Sequence, residues 1–208
     1  MRSEMFAVVN STIIKGSDSF NGLLYSEDKG KTWNQSNVDI GDFDCLTVIG
    51  NTVIAGSGYF NKGLYYSEDN GHTWNRSNIT FDHFECLTVI DSTVIAGSYS
   101  DKGLYYSEDN GKTWNQSNIT SGNFVCLTVI GSTVIAGSYT NGLYYSEDNG
   151  KTWKKSNVSF NSFYCLTVIG NTVIAGSWSD RGLFYSEDNG KTWKKSNIES
   201  GDFSCLTT

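Results

Sequence analysis

One octapeptide recurs along this chain and sets the spacing of every other segment. Each copy starts with Ser-Glu-Asp and ends with Thr-Trp, and the successive tryptophans lie 41, 40, 39 and 40 residues apart. A self-similar unit of about 40 residues indicates an array of small structural repeats rather than one irregular domain. The five copies occupy residues 26–33, 67–74, 107–114, 146–153 and 186–193.

The residues between two octapeptides have the character of strands. In the third repeat, residues 125–131 and 133–138 are short runs of apolar and β-branched residues, and the Gly131-Ser132 pair suits a tight hairpin turn. A third strand begins at Gly142, and the octapeptide leads into a fourth strand at residues 151–157. The repeat is therefore predicted to be a four-stranded antiparallel meander.

The first two strands of each repeat are apolar at nearly every position, which indicates that both faces of the sheet are covered. Stacking of each small sheet between two neighbours provides this cover in a radial array. We therefore predict an all-β fold, a five-bladed β-propeller of four-stranded antiparallel blades that forms a single domain over residues 1–208. The predicted blade repeats are about 5–44, 45–85, 86–125, 126–164 and 165–204.

The two ends of the chain compete for one strand position. Residues 5–16 align with the first two strands of a repeat, and residues 205–208 repeat the start of a first strand. Five blades therefore have six candidate first strands. We expect either residues 5–9 or residues 205–208 to close the array. The other segment is then redundant, or it pairs with another molecule and makes the protein an oligomer instead of a monomer.

The octapeptide looks like the Asp box, or BNR repeat, of sialidases, sortilin-type receptors and photosystem-assembly propellers. Its aspartate can accept hydrogen bonds from turn amides, its glycine can take a positive φ, and its tryptophan is a large apolar anchor. The resemblance implies a β-propeller in which the box links the third and fourth strands of each blade and has a structural role. It assigns that role to Asp28, Trp33, Asp69, Trp74, Asp109, Trp114, Asp148, Trp153, Asp188 and Trp193.

The sialidases of this family provide a comparison for catalysis. By that resemblance, hydrolysis of a sialoside requires three arginines on the substrate carboxylate, a tyrosine nucleophile with its glutamate, and an aspartic acid. The chain has only Arg2, Arg76 and Arg181, and its near-identical repeats supply no unique acid and base pair. We therefore expect no enzymatic activity and no catalytic residues.

Metal and cofactor sites are not expected either. The acidic octapeptide resembles part of a calcium loop, but no bidentate glutamate follows about 12 residues in. The two histidines, His72 and His83, lie in one repeat only, which disfavours zinc. Cysteine occurs once per repeat within an apolar strand, which is typical of a small buried side chain rather than of a disulfide framework. These cysteines are Cys45, Cys86, Cys126, Cys165 and Cys205.

The repeats differ from one another mainly in two loops, one after the Ala-Gly-Ser of the second strand and one before the Cys-Leu-Thr of the first. Both loops are expected on the same face of a blade. Each loop after Ala-Gly-Ser pairs an aromatic side chain with an amide or carboxylate, which suits the C–H face and the hydroxyl groups of a sugar. The candidate ligand-binding residues are Phe20, Asn21, Tyr59, Asn61, Tyr99, Asp101, Tyr139, Asn141, Trp178 and Asp180.

This layout is similar to the multivalent glycan sites of five-bladed tachylectin-type propellers. It predicts a non-enzymatic binding module that recognises a glycan or another small polar ligand through several weak sites. Two alternatives stay open. In one, the protein is a scaffold for protein interaction or assembly. In the other, it is a designed or recently amplified propeller without a specific ligand.

The net charge and the hydropathy of the chain indicate which partners and which location to expect. The net charge of −7 argues against nucleic acid, because lysines and arginines dominate phosphate binding. No apolar run approaches the roughly 18 residues of a membrane span, and only five apolar residues precede Asn10, too few for a secretion signal. We expect a soluble protein that is cytoplasmic by default. The Asn-rich repeat accounts for seven Asn-x-Ser/Thr sequons, at Asn10, Asn34, Asn75, Asn78, Asn115, Asn118 and Asn157.

Overall fold

The computed structural model describes residues 5–17, 20–159, 162–178 and 181–203, and these ranges contain strands, turns and loops but no helix. The strands form five four-stranded antiparallel sheets. In chain order they are β1 (Met5–Val9), β2 (Thr12–Gly16), β3 (Leu23–Ser26), β4 (Asn34–Gln35), β5 (Phe43–Ile49), β6 (Thr52–Ser57), β7 (Leu64–Ser67), β8 (Asn75–Arg76), β9 (Phe84–Ile90), β10 (Thr93–Ser98), β11 (Leu104–Ser107), β12 (Asn115–Gln116), β13 (Phe124–Ile130), β14 (Thr133–Ser138), β15 (Gly142–Ser146), β16 (Lys154–Lys155), β17 (Phe163–Ile169), β18 (Thr172–Ser177), β19 (Leu183–Ser186) and β20 (Lys194–Lys195).

Each sheet is a meander, because its four strands pair in the order in which they occur along the chain. The hairpin between its first two strands turns at a residue with positive φ: Asn10, Gly50, Asp91, Gly131 and Gly170. Glycine, asparagine and aspartate tolerate this conformation, as the sequence pattern predicts. Within the described ranges, no helix is long and apolar enough to span a membrane.

The chain divides into two compact units, and the division passes through the third sheet. The first unit comprises residues 1–96 and 107–115, and the second comprises residues 97–106 and 116–208. The first and second sheets therefore belong to the first unit, and the fourth and fifth sheets belong to the second.

In the first unit, the core forms where one sheet packs on the next. Trp74 of the second octapeptide is buried in one cluster with Ile14 of β2, and Val53 and Ala55 of β6 belong to the same cluster. Gly71 lies so close to Ile14 that a β-carbon there would clash with that side chain. The glycine of the octapeptide therefore has a second role, since it lets the turn approach the neighbouring sheet.

The second unit repeats the same packing with its own residues. Trp193 of the fifth octapeptide is buried in one cluster with Ile135 of β14 and Phe163 of β17. The octapeptide glycine Gly190 again faces Ile135 at a distance that leaves no room for a β-carbon. Identical sequence positions thus form identical contacts in both units.

Three of the first strands, β5, β13 and β17, carry a β-bulge that the sequence pattern did not reveal. In β5, Phe43 pairs with Ser57 and Cys45 pairs with Gly56, so Asp44 is an extra residue without a ladder partner. The same register shift makes Val125 the extra residue of β13 and Tyr164 that of β17. A bulge redirects a side chain out of the ladder. It places these residues beside the variable loops.

The fourth strands are shorter than the predicted 151–157, and β16 covers only Lys154–Lys155. Trp153, directly before it, donates its backbone N–H to the Oδ1 of Asn118 at 2.8 Å instead of pairing in a ladder. After the strand, the Oγ of Ser156 accepts the N–H of Val158, which turns the chain away. Side chains therefore satisfy the backbone on both sides of a two-residue strand.

One of the two terminal segments that compete for a first-strand position lies in the first sheet. Residues Met5–Val9 form β1 and pair antiparallel with β2, with Met5 opposite Gly16 and Val9 opposite Thr12. These residues occupy the first-strand position of that sheet. The competing segment, residues 205–208, lies outside the described residues, as does Cys205. Of the other cysteines, Cys45, Cys86 and Cys165 are buried and Cys126 is partly buried.

Candidate functional site

The octapeptide turn is held by one aspartate. In the third copy, the Oδ1 of Asp109 accepts hydrogen bonds from the Ser107 hydroxyl and the Thr113 N–H, both at 2.8 Å. Its Oδ2 accepts the Thr113 hydroxyl at 2.6 Å. The Ser107 Oγ in turn accepts the Gly111 N–H, and Trp114 donates its indole N–H to the Gly111 carbonyl. This network binds the turn to itself and uses both carboxylate oxygens.

The other four copies repeat the bonds to the aspartate around Asp28, Asp69, Asp148 and Asp188, and the indole bond recurs for Trp74, Trp153 and Trp193. Burial raises the pKa of Asp109, but the hydrogen bonds from Thr113 and Ser107 outweigh it, so the net shift is downward. The hydrogen bonds from Thr32 lower the pKa of Asp28 to about 2. Each carboxylate is thus ionised at neutral pH and has a role in holding the turn.

A second recurring contact joins neighbouring sheets within each unit. In the second unit, Asn118 Nδ2 donates to the Trp153 carbonyl at 3.1 Å, while Trp153 N–H donates to Asn118 Oδ1 at 2.8 Å. We call this reciprocal pair the amide clamp. Further clamps join Asn37 with Trp74, Asn78 with Trp114 and Asn157 with Trp193.

The amide clamp explains three of the seven sequons. Asn78, Asn118 and Asn157 are clamp residues, and each uses both its amide N–H and its amide oxygen on a tryptophan backbone. An attached glycan would remove these bonds. The asparagine at this repeat position is therefore explained by packing between sheets.

In the first unit, the variable loops bring three aromatic side chains together. Phe20 packs edge to face on Phe60 at 4.4 Å between ring centroids, and Tyr59 packs on Phe60 at 5.2 Å. All three rings are about half exposed or more. Sequence reasoning named Phe20 and Tyr59 but missed Phe60. The amide of Asn61 donates to the Ile40 carbonyl, and the Asn21 N–H donates to the Ser17 hydroxyl, so the predicted polar partners also brace the loops.

In the second unit, the loops form a longer row of aromatic side chains. Ring centroids lie 6.3 Å apart for Tyr99 and Tyr139, 5.4 Å for Tyr139 and Tyr164, and 5.2 Å for Tyr164 and Trp178. We call these four residues the aromatic strip. Tyr164, which sequence reasoning did not select, joins the others because it is the bulge residue of β17.

The polar residues predicted beside the strip have internal partners. Asp101 donates its N–H to the Asn123 Oδ1 and accepts the Gly122 N–H on its own Oδ1. Asn141 donates its N–H to the Ser138 hydroxyl. These bonds fix the loops that carry Tyr99 and Tyr139. The remaining predicted residue, Asp180, lies outside the described residues.

A cluster of ionisable side chains also lies in the first unit. His83 Nε2 is 2.7 Å from Asp44 Oδ2 and 3.1 Å from Glu85 Oε2. Asp44 belongs to the first strand of the second sheet, whereas His83 and Glu85 flank Phe84 at the start of β9. We call Asp44, His83 and Glu85 the carboxylate–imidazole cluster. The sequence pattern does not show this contact, because it joins residues of two different repeats.

Burial and charge act in opposite directions on this cluster. The side chains of His83 and Asp44 are only 6% and 4% exposed, and that of Glu85 is 25% exposed. Burial disfavours the imidazolium, but the hydrogen bonds and negative charges of Asp44 and Glu85 outweigh it and raise the pKa of His83 to about 9. The imidazole of His83 is thus held between two carboxylates in a mostly buried position.

Arg76 has a structural role in the second sheet. Arg76 donates Nη2 to the carbonyls of Lys62 and Thr80 at 2.6 and 3.1 Å, and its guanidinium lies over the Tyr65 ring. Arg76 therefore holds loop residues of the second sheet in place through their backbone carbonyls. Arg181 is exposed in the second unit, and Arg2 lies outside the described residues.

Four segments of the chain match a known repeat family. Residues 65–76, 105–116, 144–155 and 184–195 match the BNR/Asp-box repeat family. The first octapeptide is not among these segments, yet Asp28 makes the same hydrogen bonds as the matched copies. The chain has no significant sequence match among curated proteins.

Solved structures similar to this chain have low sequence identity to it. The computationally designed Ika8 protein has a TM-score of 0.72 at 10% identity, with 93% of this chain and 62% of that chain covered. An ancestral GH74 enzyme has a TM-score of 0.72 at 14% identity, with 90% and 30% covered. YCF48 bound to a D1 peptide has a TM-score of 0.65 at 17% identity, with 91% and 64% covered. The chain spans less than two thirds of these three proteins.

These comparisons and the five meander sheets define the class of protein, an all-β five-bladed propeller of four-stranded antiparallel blades. The predicted fold class is therefore confirmed. Within that class, the chain contains four segments that match the BNR/Asp-box repeat, as the octapeptide resemblance implied.

Proposed function

We propose that this protein is a non-catalytic recognition module whose variable loops bind carbohydrate, with the aromatic strip as its main binding surface. The observation that carries the proposal is the continuity of Tyr99, Tyr139, Tyr164 and Trp178, which pack in sequence along one row. Aromatic faces stack on the C–H face of a pyranose, and a row of them can contact successive sugar units of one chain.

The surroundings of the strip support this proposal. Tyr99, Tyr139 and Tyr164 are partly buried, which fixes their rings, while Trp178 is 40% exposed. A ligand then gains contact area without ordering flexible side chains. The hydroxyl of the exposed Thr140 and the guanidinium of the exposed Arg181 lie in the same loops and can bind sugar hydroxyl groups.

The loops of the first unit support a second, weaker carbohydrate contact. Tyr59 and Phe60 are 67% and 62% exposed, and the Lys62 ammonium lies 5.5 Å from the centre of the Tyr59 ring. Two weak sites on one protein increase the apparent affinity for a surface that carries many copies of the ligand. The proposal thus includes multivalent binding to glycan-coated surfaces.

The test is a glycan array followed by titration of each hit in solution. The double variant Tyr99→Ala/Tyr139→Ala is expected to lose about tenfold or more in affinity, since each stacking ring contributes roughly 1 kcal/mol. Tyr145→Ala is the matched control, because Tyr145 lies under Lys154 beside an octapeptide and not on the loops. Absence of any glycan hit, or equal affinity of the double variant and the wild type, would contradict carbohydrate binding.

A peptide ligand is the second candidate. It is supported by the similar YCF48 structure, which contains a D1 peptide, and by the fact that an aromatic row also suits apolar side chains of an extended peptide. A peptide array read with the same two variants distinguishes the candidates. Peptide hits lost in Tyr99→Ala/Tyr139→Ala, with no glycan hits, would assign the strip to peptide recognition.

The non-catalytic part of the proposal rests on the roles of the charged residues. Arg76 is held by backbone carbonyls, and the octapeptide carboxylates are held by their own turns. Sialidase chemistry would need several arginines around one substrate carboxylate. Hydrolysis of a fluorogenic sialoside above background would contradict the proposal.

A further inference from the structure

We propose that Asp44, His83 and Glu85 form a binding site for a divalent transition-metal ion of the Zn²⁺ class. Each side chain offers one ligand atom, and these three atoms lie within 4.8 Å of one another. One imidazole nitrogen and two carboxylate oxygens are a ligand set that such ions accept. This site is separate from the aromatic strip and from the proposed carbohydrate binding.

The distances in the cluster are close to those that a bound ion requires. Ligand atoms at about 2.0–2.2 Å from a tetrahedral Zn²⁺ lie roughly 3.3–3.6 Å from one another. His83 Nε2 is 2.7 Å from Asp44 Oδ2 and 3.1 Å from Glu85 Oε2. An ion therefore needs the His83 nitrogen to lie a few tenths of an ångström up to about 1 Å farther from each of these two oxygens.

A metal ion satisfies this arrangement better than a proton does. Nε2 carries a single proton, which points to one acceptor at a time, whereas an ion attracts the nitrogen and both oxygens together. Even with His83 protonated, Asp44 and Glu85 bring one negative charge more than the imidazolium balances. A buried net charge is costly, and a divalent cation neutralises both carboxylates. Binding releases the Nε2 proton to solvent.

Around the carboxylate–imidazole cluster, the chain has residues that differ from those at the equivalent positions of later repeats. Gly58 stands where later repeats have Tyr99, Tyr139 and Trp178. A β-carbon at Gly58 would clash with Asp42 and lie 2.6 Å from Asp44 Oδ2, so the site requires glycine there. At the positions of His83 and Glu85, the start of β13 has Asn123 and Val125.

A second layer of hydrogen bonds holds the ligand-bearing strands. Asp42 accepts the N–H groups of Tyr59 and Phe60 at 2.8 and 3.0 Å, which fixes the loop around Gly58. The fully buried Asp82 accepts the His83 N–H on its Oδ1 at 2.9 Å. Such contacts hold the ligands in place, as the outer shell of a metal site does.

The proposal is tested by calorimetric titration of the full chain with Zn²⁺ alone. The other histidine provides a matched control, because His72 lies near Glu27 beside an octapeptide and most copies have lysine at that position. His72→Lys is expected to bind one Zn²⁺ per chain like the wild type. His83→Asn is expected to lose more than about 100-fold in affinity, beyond the 10- to 100-fold cost of an altered outer shell.

A Co²⁺ titration reports on the ligands directly. A four-coordinate site with a histidine nitrogen predicts visible absorption bands in the wild type and in His72→Lys, and their loss in His83→Asn. Glu85→Val, with the residue found at position 125, checks the assignment if His83→Asn does not fold. Absence of Zn²⁺ binding by the wild type, equal affinity of His83→Asn, or loss of binding in His72→Lys would each overturn the proposal.

Discussion

At the scale of single residues, each octapeptide turn depends on two consecutive residues with positive φ. Asn110 and Gly111 have φ values of 58° and 82°, and the same pair of conformations recurs in every copy. Asparagine tolerates the left-handed region better than other non-glycine residues do. The first copy departs from this pattern, because Lys29 takes the position with φ of 64°.

We predict that Lys29→Asn stabilises the protein by up to about 1 kcal/mol, because a left-handed conformation costs an ordinary residue about 1–2 kcal/mol and asparagine less. Lys29 is exposed, so the substitution removes no packing. The midpoint of urea unfolding measures the effect. The reverse change Asn110→Lys is the control and should lower that midpoint. An unchanged midpoint in both variants would show that turn conformation contributes little here.

At the scale of elements, the contact between adjacent sheets combines an apolar tryptophan with a polar clamp. Trp153 is buried at 4% exposure, and its backbone is bound at both the N–H and the carbonyl by Asn118. The clamp therefore sets the position at which one octapeptide meets the preceding sheet of its unit. Its two bonds are directional, whereas apolar packing alone tolerates small shifts.

We predict that Asn118→Ala destabilises the protein by about 1–3 kcal/mol, since two hydrogen bonds contribute roughly 0.5–1.5 kcal/mol each. Asn197 is the matched control, because it has the same repeat position but makes no bond to a tryptophan within the described part of the chain. Asn197→Ala should change the stability by less than about 0.5 kcal/mol. Equal losses in the two urea unfolding curves would contradict the role of the clamp.

The second strands depend on one glycine for a different reason from the turns. Gly137 has ordinary strand geometry, but a β-carbon there would clash with Cys126 Sγ and lie 3.2 Å from the Phe163 Cβ. Three chain segments meet at this position. The Ala-Gly-Ser segment hardly varies between repeats because a larger residue has no space there.

We predict that Gly137→Ala destabilises the protein by about 1–3 kcal/mol through overpacking. The double variant Gly137→Ala/Cys126→Ala should recover part of this loss, because it removes the sulfur atom that the new methyl group meets. The two effects are measured as a double-mutant cycle by urea unfolding. Strictly additive losses would show that the strain arises elsewhere.

At the scale of the whole molecule, five copies of the octapeptide make stability depend on pH. The folded-state pKa of Asp28 is lowered to about 2, and those of Asp69, Asp109, Asp148 and Asp188 are also lowered. A carboxyl group with a lowered folded pKa stabilises the fold above its unfolded pKa of about 3.9. That contribution is lost as the pH falls through the folded pKa.

We predict that the urea midpoint falls steeply between about pH 4 and pH 2, because the turn carboxylates lose their stabilising contribution in this range. Unfolding in this range takes up protons at as many as five turn carboxylates, so the fall exceeds that of a single group. Asp109→Asn removes one such carboxylate and should give a shallower acid dependence. A midpoint that stays constant down to pH 2.5 would contradict this reading of the turns.

In both units, the positions that stabilise the fold differ from the positions that form the proposed sites. Positions that contact a neighbouring sheet, such as Trp74 and Trp193, are the same in every repeat. Positions in the loops differ, so the first unit has the carboxylate–imidazole cluster and the second has the aromatic strip. Both proposed sites therefore lie where the repeat changes without disturbing its core.

The sequence by itself determined the number of blades, their meander topology and the structural octapeptides. These features follow from local patterns, namely a 40-residue period, β-branched runs and turn residues that accept positive φ, and each copy restates them. It also identified most of the aromatic loop residues, because differences between copies are visible in one chain.

Only the tertiary structure decided which of these residues meet. Asp44 and Tyr164 reach the variable loops because a β-bulge redirects them, and a bulge has no clear signature in residue type. His83 meets Asp44 across two repeats, 39 residues apart, so its surroundings depend on how one sheet packs on the next. Local patterns specify each blade, whereas contacts between blades arise from packing geometry that no single repeat contains.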